Sequence, residues 1–185
     1  MIRKQDTDNN ISYTHESSFS EVFKSHFDCL YNYGLRITGK KELTEDCIQE
    51  VFFRIWKNNI DLNTIAHVKS YLIKALRRQV LNVLELKINQ SVSVDITENI
   101  GIDFSPEDFF ILNQTEDNIR VKVVSLLNKL PEKQREAIYL RFFEELSFED
   151  VATIMNINLQ SAKNNVFRGL DSLKRMFPMI SFLLY

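Results

Sequence analysis

The sequence predicts an all-α chain: two small helical domains joined by a flexible acidic linker, the second domain carrying a helix-turn-helix. Three observations predict this. Only 4 Gly and 3 Pro occur in 185 residues, whereas an all-β chain needs turn residues every ~8–12 positions. Apolar residues recur at three- and four-residue intervals over long stretches, the period of an amphipathic helix. Charge is also divided into blocks. Residues 1–90 hold 13 Lys/Arg and 11 Asp/Glu, residues 91–117 hold 7 acids and no cation, and residues 118–185 hold 10 Lys/Arg and 7 acids. The acidic block contains Gly101 and Ser105-Pro106, the strongest helix breakers in that region. The expected organisation is a polar N-terminal tail over 1–18, a first domain over 19–90, the linker over 91–114 and a second domain over 115–185.

Taken in order, the tail has no apolar stretch of the kind that opens a secretory signal. Residues 19–38 place Phe19, Val22, Phe23, Phe27, Leu30, Tyr31 and Leu35 on one helical face, with Gly39 as the stop. Over 44–58, Cys47, Ile48, Val51, Phe52, Ile55 and Trp56 form an apolar stripe. Thr44 is the expected N-cap there, and Glu45 and Asp46 suit the positive end of the helix dipole. Residues 67–88 predict a third long helix. The β-branched run at 91–96 is isolated and is read as linker. In the second half, helices are expected at 115–129, 131–144, 147–155 and 159–176, with Pro131 at a first helical position, where no backbone donor is needed. Ser147 and Asp150 stand at capping-box spacing. The apolar C-terminal run 177–185 is far shorter than the ~20 residues of a membrane span and is expected to pack on its own domain.

Composition excludes several function classes. Cys29 and Cys47 make no disulfide framework and fit a reducing cytoplasm. His15, His26 and His67 form no HExxH pattern, and His26 with Cys29 has no second ligand pair. No glycine-rich phosphate loop is present. No metal, cofactor, small-molecule substrate or membrane insertion is expected, and no catalytic residue.

The informative segment is 147–170, SFEDVATIMNINLQSAKNNVFRGL. A capped helix is followed by the turn Asn156-Ile157-Asn158 and a second helix with Ala162, Val166 and Leu170 at four-residue spacing. Its other face carries Ser161, Lys163, Asn164, Asn165 and Arg168. A helix-turn-helix places the start of such a second helix in the major groove. Asn pairs with adenine, Arg with guanine, and Lys and Ser reach phosphates. Ser161 also fits a helix-start role, and a helical hairpin with a solvated polar face shares the pattern.

Two blocks in this order resemble the extracytoplasmic-function (ECF) sigma factors of bacterial RNA polymerase. Leu35-Arg36-Ile37-Thr38-Gly39, followed by the helix Thr44 to Trp56, looks like the polymerase-binding part of sigma region two. Leu130-Pro131-Glu132-Lys133-Gln134-Arg135-Glu136-Ala137, followed by the helix-turn-helix, looks like region four. The short distance between them leaves no space for the extra domain of housekeeping sigma factors. The resemblance implies that Asp46, Gln49, Glu50 and Phe53 face core RNA polymerase. It places capture of the minus-ten promoter element on Lys69, Tyr71, Lys74, Arg77 and Arg78, with Tyr71 at a spacing that also suits the core. It places the minus-thirty-five element on Ser161, Lys163, Asn164, Asn165 and Arg168. Promoter DNA, core polymerase and an anti-sigma factor are the implied partners. Gly169 stands where the family customarily has Ala, at ~1 kcal/mol in helix propensity. The rival readings are a helix-turn-helix repressor or activator acting without polymerase, a pure interaction protein, and an enzyme.

Overall fold

Helix after helix follows from the breaker-poor sequence. The computed structural model describes residues 5–89, 101–105 and 117–177, with side-chain placements over 19–86, 101–105 and 121–177. The strand-like run 91–96 and the tail 178–185 lie outside the described residues. Helix α1 (Gln5–Thr38) begins well before the expected residue 19. No Gly or Pro interrupts residues 5–33. Gly39 ends it at φ +63, the left-handed conformation glycine adopts without strain, while its N–H bonds to the Leu35 carbonyl at 2.8 Å.

Helix α2 (Lys41–Lys57) starts three residues earlier than expected. Thr44 is therefore not the cap. It lies fully buried within the first turns, its hydroxyl 2.9 Å from the Lys40 carbonyl and 2.7 Å from the Thr38 hydroxyl. A short 3-10 turn (Leu62–Thr64), capped by Asp61, leads to α3 (Val68–Asn89). Helices α1, α2 and α3 enclose the first core: Leu30, Tyr33, Ile48, Val51, Leu72, Ile73, Leu76 and Val80 are almost wholly buried. Each such side chain contributes about 1.5–3 kcal/mol of apolar burial.

The second domain consists of α4 (Asp117–Leu127), α5 (Glu132–Ile138), α6 (Phe148–Met155) and α7 (Leu159–Met176). Pro131 takes the cap of α5 rather than its first helical position. The expected continuous helix 131–144 changes after Ile138 into a π-helical segment, Tyr139–Phe143. Its wider turn rotates the chain beyond it relative to an α-helical continuation, and Glu144 ends inside the protein, 8% exposed at its side chain.

Across α7, Ala162, Val166, Gly169 and Leu173 are buried, whereas Leu170 is only half-buried. Gly169 has a packing reason: a Cβ there would stand 2.6 Å from Ile138 Cδ1 on α5. The α5–α7 crossing needs that close approach more than it needs alanine's helix propensity.

The linker does not read as one solvated loop throughout. Residues 101–105 dock between the domains, with Ile102 fully buried and Phe104 nearly so. Phe104 is clamped by Asn128, whose side-chain amide accepts the Phe104 N–H at 2.9 Å and donates to its carbonyl at 3.0 Å. No helix among the described residues is long and apolar enough to cross a membrane.

Candidate nucleic-acid interface

The helix-turn-helix is assembled by its caps. Ser147 accepts the Asp150 N–H at 3.0 Å, and its hydroxyl donates to the Asp150 carboxylate at 2.7 Å. Burial pushes that carboxyl upward. The bonds from Ser147 and Ser70 and the neighbouring His67 more than offset it, so Asp150 titrates below the ordinary 3.8. Asn156 closes α6 in the left-handed conformation, φ 54. Asn158 then caps α7 by accepting the Ser161 N–H at 2.7 Å. Asn158, rather than Ser161, is the helix-start residue.

On the outward face of α7, Asn164 and Arg168 are exposed, while Ser161, Lys163 and Asn165 are half-buried. Gln160 donates to the Asn164 side-chain oxygen at 3.0 Å. Phe167 stands between Asn164 and Arg168, 59% exposed, its ring 6.2 Å from that of Phe148. Lys163 and Arg141 lie over the opposite partner of that pair, 5.9 and 5.3 Å from the Phe148 centroid. Sequence reading passed over Phe167 and Gln160. The signal was available: 160, 164, 167 and 168 share one face, off the 162–166 stripe.

On α2, Asp46, Gln49, Glu50 and Phe53 fall at i, i+3, i+4 and i+7 and share a face. Asp46, Gln49 and Phe53 are exposed. Glu50 is half-covered by an ion pair with Arg54 at 2.6 Å. Beside them an open apolar cleft of about 420 Å³ is lined by Phe19, Phe23, Phe52, Phe53 and Trp56. Phe19 and Phe23 meet Phe52 edge-on.

The five residues expected on α3 divide into two groups. Tyr71, Lys74 and Arg78 line a groove of about 520 Å³ between α2 and α3, together with Arg54, Asn58, Gln79 and Asn82. Gln79 is 9% exposed, and its side-chain carbonyl oxygen has no hydrogen-bond partner. Tyr71 serves both roles, half-buried against the core and exposed to the groove. Asn58, Gln79 and Asn82 were not read from the sequence as groove residues, because neutral amides on a helix carry no pattern of their own, and Arg54 was read only as part of the α2 block.

Lys69 and Arg77 point the other way, onto the second domain. Arg77 grips Glu136 with two bonds, Nε to Oε1 at 2.7 Å and Nη2 to Oε2 at 3.2 Å, and the pair is 13% and 2% exposed. Burial pulls the Arg77 guanidinium pKa down, and the bonds to Glu136 outweigh it, holding the guanidinium charged. Tyr33 donates to the same carboxylate at 2.8 Å; burial, then Glu136, pushes its hydroxyl pKa far up. Lys69 meets Glu144 at 2.8 Å. Glu144 also accepts from the Tyr139 hydroxyl at 2.7 Å and the Cys29 thiol at 3.0 Å. Burial and then Glu144 raise the pKa of that thiol and of Tyr139, so both stay protonated. Among the described residues no group of three or more His, Cys, Asp and Glu is arranged to hold a metal.

A helix-turn-helix in one domain and an exposed acidic-aromatic helix face in the other define a DNA-reading transcription factor with a protein partner. Residues 22–86 match Sigma-70 region 2 and residues 120–173 match Sigma-70, region 4, together well over half of the chain. The chain belongs to the sigma-70 family, in its ECF group. It is 28% identical to the ECF RNA polymerase sigma factor SigM of Bacillus subtilis over 163 residues, 86% of this chain and 95% of that protein. It is 24% identical to SigW of the same organism, over 86% and 89%. The fold is shared with the sigma factor RpoE of Bartonella quintana, solved in complex with the anti-sigma factor NepR. That likeness has TM-score 0.55 and 18% identity, covering 86% of this chain and 96% of the other.

Proposed function

We propose that this chain binds core RNA polymerase and directs it to a defined promoter class in the cytoplasm, with a role for each of these faces. Asp46, Gln49, Glu50 and Phe53 dock on the core enzyme, with the apolar cleft beside them. Helix α7 enters the major groove at the minus-thirty-five element. There Asn164, Asn165 and Arg168 read base edges, Phe167 covers a thymine methyl, and Ser161 and Lys163 hold phosphates. The α2–α3 groove takes an unstacked base of the opened minus-ten strand. Tyr71 supplies a stacking face, Lys74 and Arg78 supply charge for the backbone, and the free Gln79 oxygen accepts from a base amino group. The polymerase performs the chemistry, and this chain supplies binding. An anti-sigma protein is the expected inhibitor, by analogy with the RpoE complex.

The observation that carries the reading is the exposed face of α2, Phe53 amid Asp46 and Gln49, on a chain that also holds a complete helix-turn-helix. An exposed aromatic amid polar groups has the composition of an interface. The test is reconstituted run-off transcription from a promoter library with bacterial core polymerase. Initiation at a selected promoter class, dependent on both components, is expected. Tight binding to a palindromic site without core, and no initiation with it, establishes the repressor instead.

A further inference from the structure

We propose that the groove between α2 and α3 is a binding site for a free nucleoside 5′-phosphate, available in the chain without polymerase or DNA. That a bound nucleotide excludes an unstacked promoter base rests on the role proposed for this groove above. The site itself rests on its own geometry.

The groove has the parts a mononucleotide needs. Its volume is about 520 Å³, within the ~300–1,000 Å³ range of small-ligand sites. Val51, Ile55 and Ala75 line it with apolar surface, and the half-buried Tyr71 adds an aromatic face on which a base can stack. Deeper in, Gln79 is nine-tenths buried, and its carbonyl oxygen has no hydrogen-bond partner. Every nucleobase carries an N–H on the pairing edge by which an extruded base is read. A half-turn of the Gln79 amide offers its oxygen to that N–H and removes the penalty of an unpaired buried carbonyl.

Lys74 and Arg78 supply the phosphate end. Both are exposed, and among the described residues neither has an ion-pair partner, in contrast to Lys69 and Arg77. They stand one turn apart on α3, ~6 Å along its axis, close enough to hold one phosphate between them. A terminal phosphate monoester carries about −1.5 to −2 charge at neutral pH, whereas each phosphate inside a strand carries only one. Two unpaired cations therefore match a free nucleotide better than an internal diester. The other end of the groove sets the polarity. Past Gln79 and Asn82 it runs into a second hollow of about 380 Å³ that includes Glu85 and the exposed Leu86. A carboxylate there repels phosphate, which leaves that end to the base and sugar.

Nothing has to move aside for a ligand to enter. The second domain meets α3 on the side of Lys69 and Arg77, and the groove lies on the side of Tyr71, Lys74 and Arg78. The chemistry recognised is one base with one phosphate. It comes either from a soluble nucleotide or from an unstacked nucleotide of a melted strand, and the dianionic phosphate favours the first.

The test is nitrogen-15 NMR titration of the full chain, following the Gln79 side-chain amide. The probes are dAMP, dCMP, dGMP and TMP, inorganic phosphate, and a short single-stranded deoxyoligonucleotide with hydroxyl ends. At least one mononucleotide is expected to shift the Gln79 signal saturably, with Kd below about 1 mM, while inorganic phosphate leaves it in place. Arg78→Ala, at an exposed position, should weaken that mononucleotide roughly tenfold or more. Gln79→Met removes the orphan carbonyl at similar volume, so it should weaken binding several-fold and melt no lower than wild type. The proposal is overturned if no mononucleotide saturates, if inorganic phosphate reproduces the shift, or if Arg78→Ala binds as wild type. Binding of the oligonucleotide alone also overturns it and leaves the strand reading of the groove in place. Saturable mononucleotide binding with failed run-off transcription removes the sigma reading and leaves the nucleotide site standing.

Discussion

Phe53→Ala is expected to weaken binding to core polymerase about 30-fold while leaving the fold intact. The magnitude follows from exposure. A phenylalanine side chain presents ~200 Å², and Phe53 is 57% exposed, which leaves roughly 115 Å² for a partner to cover. At ~25 cal/mol per Å² this is about 2.9 kcal/mol. Alanine retains about a third of that contact, so the loss is about 2 kcal/mol, near 30-fold in Kd. In the free protein Phe53 borders an open cleft with Phe52 and Trp56 rather than the core, so the fold should lose under ~1 kcal/mol. The assay is a fluorescence titration of labelled full-length chain with core enzyme, paired with thermal melting. A Kd within threefold of wild type, with native-like melting, refutes the assignment of this face.

Three further outcomes are expected. Asn164→Ala and Arg168→Ala should each lose about 1–3 kcal/mol on the cognate upstream element and relax preference at one position, measured by selection from a promoter library; an unchanged selected sequence for both removes base reading from α7. Gly169→Ala gains ~1 kcal/mol of helix propensity but forces the buried Ile138 Cδ1, 2.6 Å from the new methyl, out of its rotamer at ~0.5–1.5 kcal/mol, so denaturant melting should move little; in an Ile138→Val background the same change should stabilise by about 1 kcal/mol. The Asp150 carboxyl is held below its ordinary 3.8, so its contribution is complete above that value and disappears as pH falls through the lower folded value; melting of wild type minus Asp150→Asn should shrink on acidification below about pH 4, and a difference that grows there contradicts the capping role.

Much of the fold was legible because burial writes itself as spacing. Ala162 and Val166 on α7, and Leu72, Leu76 and Val80 on α3, lie at intervals that only a helix brings to one side. Caps were legible where one side chain does the work, as at Ser147. They were misread where it does not: α2 begins at Lys41 with no side-chain cap, and the tempting Thr44 is a buried threonine serving its own turn. The π-helical segment left no mark, since residues 139–143 read as ordinary helix. Nor did the docking of Ile102 and Phe104, because two apolar residues in an acidic stretch have no period to betray them. The faces of α2 and α7 were readable from polar residues opposite an apolar stripe. The groove was half readable, since its cations announce themselves and its amides, Gln79 and Asn82, do not.

Arg77 and Arg78 show where one-dimensional reading stops. They are adjacent and identical, and both lie off the apolar stripe, so sequence assigns them together. One step along a helix rotates a side chain by ~100°. On α3 that step separates a face carrying Lys69, Ser70 and Arg77 from one carrying Tyr71, Lys74, Arg78 and Asn82. The first meets α6 and the acids of region four, and the second lines the groove. Counting cations therefore overstates the charge available to DNA. Two of the four on this stretch of α3 are neutralised inside the protein, and Arg54 at the groove's edge is shared with Glu50. Non-specific affinity for duplex scales with phosphates neutralised, and here Lys69 and Arg77 are already paired with carboxylates. Weak duplex binding by the free protein is then the expected outcome of a fluorescence anisotropy titration, and tight promoter binding without core polymerase would contradict it.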